Sequence, residues 1–251
     1  MKNIILIGSG NVATHLGIAL KERGYNIVQV YSNQVNNAKI LANKLDCNFT
    51  DSIDRLLNAD LYILAVKDDV THQLLNKIPD IRIVHTSGSL GMKVFENKFT
   101  DYGVLYPLQT FNRNINIDFT NIPLCIEANN TEFENNLIKI GNQLSEKVVI
   151  MNSEQRKQLH IAAVFACNFS NHMFSIADTI LAKSDIAFKL LLPLINQTVK
   201  KLDKNKPSEV QTGPAKRKEK IVIQNHINSL SDKKTKEIYK LISDSIMEKN
   251  E

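Results

Sequence analysis

Gly8, Gly10 and Ala13 stand at the spacing G-x-G-x-x-A in IGSGNVATH, where an apolar run ends and an amphipathic one begins. Each position has a chemical reason. The first glycine permits a tight turn, the second admits a pyrophosphate against the backbone, and the small third residue lets a following helix pack closely on the preceding strand. A helix opening at Asn11, with Val12 in its first turn, presents free amides and the positive end of its dipole to those phosphates. Dinucleotide binding is the chemistry this stretch predicts.

The end of the next strand bears on which dinucleotide. An acid there would hold the free ribose 2′-hydroxyl of NAD, whereas this chain offers YSNQ, with neutral Ser32, Asn33 and Gln34. A 2′-phosphate meets no carboxylate, so NADP is expected ahead of NAD, with Lys39 as a nearby cation. Ligands of open parallel sheets bind beyond the carboxyl ends of the strands. That rule nominates Val66 and Lys67 in AVKDD and Thr86, Ser87 and Gly88 in HTSGS, while Asp68 and Asp69 read as helix N-caps.

Proton donors and substrate contacts are sought farther along. At 100° per residue, His160, Val164, Asn168 and Asn171 fall within about 80° on one helix face, with His172 just beyond. Polar groups on a helix of Ile, Ala, Val, Phe, Cys and Met need partners if buried, from a ligand or from neighbouring helices. His160 and His172 are the candidate catalytic groups with Asn168, and Tyr106 follows them. Asn168 and Asn171 are candidate substrate contacts. So are Tyr106 and Gln109 in GVLYPLQTF, which would line a cleft between domains. In QTGPAKRKE, Gly213 and Pro214 set a turn before a helix, and Gln211, Thr212 and Arg217 offer donors suited to a carboxylate. Cys47, Cys125 and Cys167 are far apart among apolar neighbours, which predicts reduced, packed thiols and neither disulfide nor metal site.

These groups need a scaffold. Asn3 to Ile7, Asn26 to Tyr31, Leu61 to Val66 and Arg82 to Thr86 read as strands of continuous Ile, Leu and Val, as in a parallel sheet covered on both faces. Pro123 to Ala128 and Lys147 to Met151 extend the sheet around a helix from Glu132 to Leu144. After Asn152 no strand pattern survives. A helix of about eight turns opens at Ser153 as N-cap, and others follow at Ile186 to Leu202, Lys216 to Leu230 and Lys233 to Lys249. The long helix is apolar over most of its circumference, so burial in a bundle or against a second subunit is expected. The fold class is α/β: a doubly wound, mostly parallel Rossmann sheet over 1–151, then an all-helical substrate and dimerisation domain over 152–251.

The 251 residues carry a net charge of +5, with 43% hydrophobic and 23% charged residues. No apolar run approaches the roughly 20 residues of a membrane span. The start MKNIILIG lacks a secretory pattern, and a soluble, cytoplasmic protein is expected. Basic residues between 200 and 220 are interrupted by acids and lack interleaved aromatics, which reads as solvated charge rather than a nucleic-acid surface.

With GSGNVA, HTSGSL, YPLQTF, HIAAVFACNFSNHMF and QTGPAKRKE with the later His226 on the page, the chain resembles, over nearly its whole length, the bacterial two-domain family that joins a Rossmann-like domain to a C-terminal domain of unknown function, number 2520. That family is similar, more distantly, to pyrroline-5-carboxylate reductases and to 6-phosphogluconate and β-hydroxyacid dehydrogenases. The resemblance implies NADP binding, a helical C-terminal domain like that of 6-phosphogluconate dehydrogenase, and homodimers built through it. It fails at one place: β-hydroxyacid dehydrogenases set a catalytic lysine one turn before an asparagine, and here Val164 or Phe165 stands there. The expected activity is an NADP-dependent reductase or dehydrogenase acting on a small, anionic substrate. The alternative is a non-catalytic dinucleotide-binding redox sensor or regulatory protein.

Overall fold

A computed structural model describes residues 1–249. The chain divides into two compact units, one ending at Cys167 and the other beginning at Asn168. In the first, β1 (Asn3–Ile7), β2 (Asn26–Tyr31), β3 (Asn48–Thr50), β4 (Leu61–Leu64), β5 (Ile83–His85), β6 (Tyr102–Pro107), β7 (Leu124–Ala128) and β8 (Val148–Ile150) form one sheet in the order β3-β2-β1-β4-β5-β6-β7-β8. Neighbours run parallel except β6 and β7. The chain leaves the centre in one direction through β2 and β3, then restarts on the other side of β1 with β4. The crevice between β1 and β4 is thus the point where the winding reverses.

Five helices accompany the sheet: α1 (Asn11–Glu22), α2 (Val35–Leu45), α3 (Asp68–Leu75), α4 (Thr131–Leu144) and α5 (Ser153–Ala163). Alternation along β1 shows how both faces are covered. Ile4 and Leu6 join a core with Leu16, Leu20, Leu41 and Leu137, whereas Ile5 and Ile7 join another with Leu75, Ile78 and Phe95. Strands buried on both faces need apolar residues at every position, and all four residues of β4 are buried.

The second unit holds α6 (Ser170–Ala182), α7 (Leu192–Lys200), α8 (Lys220–Ser229) and α9 (Lys233–Glu248), with no strand among its described residues. Among the described residues no helix is long and apolar enough to cross a membrane.

Several local expectations are corrected. Asn152, not Ser153, caps α5, in a capping box with Gln155. The expected eight-turn helix is interrupted: Val164–Phe169 is a π-helical stretch before α6 begins, so a constant 100° per residue does not carry from His160 to Asn171. Asp68 and Asp69 sit in the first turn of α3 after Lys67 and do not cap it. α8 starts at Lys220 rather than Lys216, because left-handed backbone at Gly213 and Lys218 holds the preceding residues in a turn. Cys125 is buried and Cys47 partly so, but Cys167 is exposed. Burial pushes the thiols of Cys47 and Cys125 up to about 11. The first compact unit includes α5, whose Arg156 is buried on Glu127 of β7.

Candidate functional site

The glycine loop stands where β1 meets α1. Gly8 has φ +123°, and a Cβ there would lie 2.2 Å from the Ala65 carbonyl oxygen, so neither backbone nor space allows a side chain. Gly10 differs. Its φ is −76° and a Cβ would meet nothing within 4 Å. Gly10 caps α1, but among the described residues nothing crowds the place of its side chain, and the space beside it is open to another molecule.

That space belongs to a cleft of about 920 Å³ lying wholly within the first unit. Every nominated cofactor residue from Gly8 to Gly88 lines it, as do Tyr106, Gln109 and His160. Lys39 is exposed and outside the lining, whereas Lys67, Lys77 and Arg113 contribute cations to it. At the end of β2, Ser32 is buried and its hydroxyl lies 3.0 Å from that of Ser9, tying this strand end to the glycine loop. Asp68 is the acid among the lining residues, and it accepts hydrogen bonds from the hydroxyls of Ser87 at 3.0 Å and Ser89 at 2.5 Å. The cleft therefore presents amides, hydroxyls and cations that have no carboxylate partner among the described residues, a donor set suited to phosphates.

At its other end, the Tyr106 hydroxyl lies 3.0 Å from His160 Nδ1, with the two rings edge to face. Burial pushes the Tyr106 phenol up to about 12, so it is protonated at neutral pH. Gly88 makes the pair possible, since a Cβ there would come within 2.6 Å of His160 Nδ1 and 2.8 Å of the Tyr106 ring.

A buried ion pair fixes the helix that carries His160. Arg156, one turn before it and 1% exposed, binds Glu127 through Nη1 and the Leu90 carbonyl through Nη2. Glu127 also accepts from the Ser153 amide at 3.0 Å and the Ser153 hydroxyl at 2.8 Å. Nearby His85 is buried at the end of β5, where its Nδ1 accepts from the Ser87 amide. Burial, reinforced by the charge of Arg156, pushes its imidazole down to about 3.

A connection between β6 and β7 lies against α1. The Asn11 side-chain amide donates to the Phe111 carbonyl, the Phe111 ring stacks on His15 at 5.2 Å, and His15 Nε2 lies 2.9 Å from the Asn112 carbonyl. Arg113 Nε donates to Asn11 Oδ1 at 3.2 Å. Ser9, Lys77 and Arg113 join the lining without a signal in the sequence; Lys77 follows α3 and Arg113 lies in a loop, and nothing local marks either as facing the glycine loop.

The remaining nominated residues lie in the second unit. Asn168, in the π-helical stretch, and Asn171 and His172, on α6, are exposed. Gln211 and Thr212 are exposed beside Gly213, whose φ of +104° sets the expected turn. Arg217 makes a two-pronged ion pair with Glu219 at 2.9 Å. Among the described residues no cluster of His, Cys, Asp or Glu could hold a metal ion.

Comparison with known proteins places this geometry. Residues 3–85 match a family model described as NADP oxidoreductase coenzyme F420-dependent, and residues 122–246 match the domain of unknown function DUF2520. The chain is 43% identical to BF3122 from Bacteroides fragilis, designated an NADP oxidoreductase, with a TM-score of 0.94 over 98% of both chains. It shares its fold with TM1727 from Thermotoga maritima, at 19% identity and TM-score 0.70 over 98% of both chains. It also shares it with 1-pyrroline-5-carboxylate reductase from Streptococcus pyogenes, at 15% identity and TM-score 0.63 over 99% of this chain and 97% of that one. None of the curated proteins compared with this chain matches it. The chain belongs to the family of pyridine-nucleotide oxidoreductases represented by BF3122, in which a dinucleotide-type N-terminal region is joined to a DUF2520 region.

Proposed function

We propose that the cleft binds NADP(H), and that the protein is a reductase or dehydrogenase of a small anionic substrate. The observation that carries the reading is Gly10: an open space over a glycine at the reversal point of a parallel sheet, in a cleft lined by Lys67, Lys77 and Arg113 and, just after β2, by neutral Ser32, Asn33 and Gln34. Gly8 to Val12 would receive the pyrophosphate, Ser32 and Asn33 the adenosine ribose with its 2′-phosphate, and Val66, Lys67 and Thr86 to Gly88 the nicotinamide half. When bound, the cofactor supplies the hydride. The chain supplies orientation and a proton. Tyr106 and His160 share one across their 3.0 Å contact, with Gly88 holding both rings beside the strand end.

Asn168 and Asn171, with Gln211, Thr212 and Gly213, are the second unit's candidates for substrate contact, and its apolar helices are candidates for pairing with a second copy. A non-catalytic sensor or regulatory protein is the rival reading. It is favoured by the absence of lysine at Val164 and Phe165, and disfavoured by a tyrosine and histidine paired inside the cleft.

The test is a calorimetric titration with NADPH, NADP, NADH and NAD in parallel, repeated with Gly10→Val. Micromolar binding of a phosphorylated form, lost by about a hundredfold or more in a folded Gly10→Val variant, is the expected result. Absence of binding by all four overturns the reading.

A further inference from the structure

Resting on the dinucleotide reading, we infer that the segment from Gln109 to Asn114 is a built-in strap that presents Arg113 to the pyrophosphate of the bound dinucleotide. The strap is anchored, not loose. Phe111 stacks between His15 of α1, at 5.2 Å, and Phe119, at 5.8 Å. Both functional atoms of the Asn11 amide are engaged by it: Nδ2 donates to the Phe111 carbonyl at 2.9 Å and Oδ1 accepts from Arg113 Nε at 3.2 Å. Asn11 therefore acts on the ligand through its backbone amide and through Arg113, not through a free side chain.

The guanidinium is held by one edge nitrogen on a neutral oxygen. Its terminal nitrogens are left available, and among the described residues no carboxylate pairs with Arg113. Yet it lines the same cleft as Gly8 to Val12. A planar fork of donors beside an open glycine suits a two-pronged bond to a phosphate, and Nε held by Asn11 fixes the plane of that fork. The strap leaves the loop's own amides in place and adds a cation to them. Arg113 is thus a cofactor-binding residue, and Asn11 a positioning residue for it.

The test compares wild type, Arg113→Gln and Asn11→Ala by titration with NADPH, NADH and adenosine 2′-monophosphate, which carries the 2′-phosphate and no phosphate at the 5′ position. Arg113→Gln should weaken NADPH and NADH by the same factor, about ten- to a hundredfold, and leave the monophosphate unchanged. Asn11→Ala, which keeps the charge and loses the anchor, should fall between wild type and Arg113→Gln. Equal NADPH affinity in wild type and Arg113→Gln overturns the inference, as does a loss for NADPH and the monophosphate that spares NADH, which would assign Arg113 to the 2′-phosphate. A wild-type protein that binds none of these ligands overturns the functional reading, and this assignment falls with it.

Discussion

The two units treat their apolar residues in opposite ways. In the first, Ile4 to Ile7, Leu61 and Ile63 are fully buried, and two cores sandwich the sheet. In the second, Ala215, Ile223 and Ser243 are the buried residues among those described, while Leu190, Leu194, Ile221 and Leu241 are 72%, 64%, 79% and 72% exposed. The difference teaches where each region gets its stability. A sheet wound on both faces satisfies itself, so its polar cleft can be built on rigid strand ends. Helices that leave this much apolar surface in water resemble half of an interface more than a finished core.

Three measurements sharpen that contrast. The largest effect is expected in the first unit at Glu127, because replacing it with leucine strands the buried charge of Arg156. Glu127→Leu should cost about 3–5 kcal/mol in denaturant unfolding. A loss below about 1 kcal/mol would mean that α5 is not held by this pair.

Next in size, counted per pH unit, is an acid sensitivity at His85. Its imidazole lies at about 3 in the fold against an ordinary 6.5, so between those values the unfolded chain takes up a proton that the folded chain refuses. Stability should therefore fall as pH drops below 6.5, by up to about 1.4 kcal/mol per pH unit from this group, and level off near 3. His85→Gln should flatten that slope; an unchanged slope would place the acid sensitivity elsewhere.

The smallest effect on the chain's own stability is expected at Leu190. Leu190→Ser should shift the unfolding of a dilute sample by no more than about 0.5 kcal/mol. The dimer expected for the second unit predicts that the same change moves sedimentation toward a monomer. A wild-type protein that sediments as a monomer at all concentrations would break the contrast drawn here.

What the sequence made legible follows the reach of its signals. β1 and β2 were read to the residue because an uninterrupted apolar run is a local pattern, and the glycine loop is local too. β6 was not read as a strand, since Gly103 and Pro107 punctuate YGVLYP as a turn would. In the structure Gly103 is there because a Cβ would lie 2.3 Å from the Glu127 carbonyl oxygen of the antiparallel neighbour. β3, three residues long, offers too short a pattern. The π-helical stretch has no compositional mark, and its extra residue per turn undid the helical phasing of Asn168 and Asn171 with His160. Tyr106 and His160 were nominated separately, but only the fold brings them together. Arg156 with Glu127, and Arg113 with Asn11, join distant parts of the chain, and no window along it contains both partners.

Gly88 carries a last consequence. With His160 and Tyr106 both pressed against the place where its side chain would be, the position has no neighbouring solution in sequence space, since even alanine meets two rings at once. A library covering every substitution at residue 88 should find it as intolerant as a residue that performs chemistry, although its side chain is a single hydrogen. Tolerance maps of this protein will therefore mark the Tyr106–His160 contact twice: once at the rings that make it, and once at the gap that lets them meet.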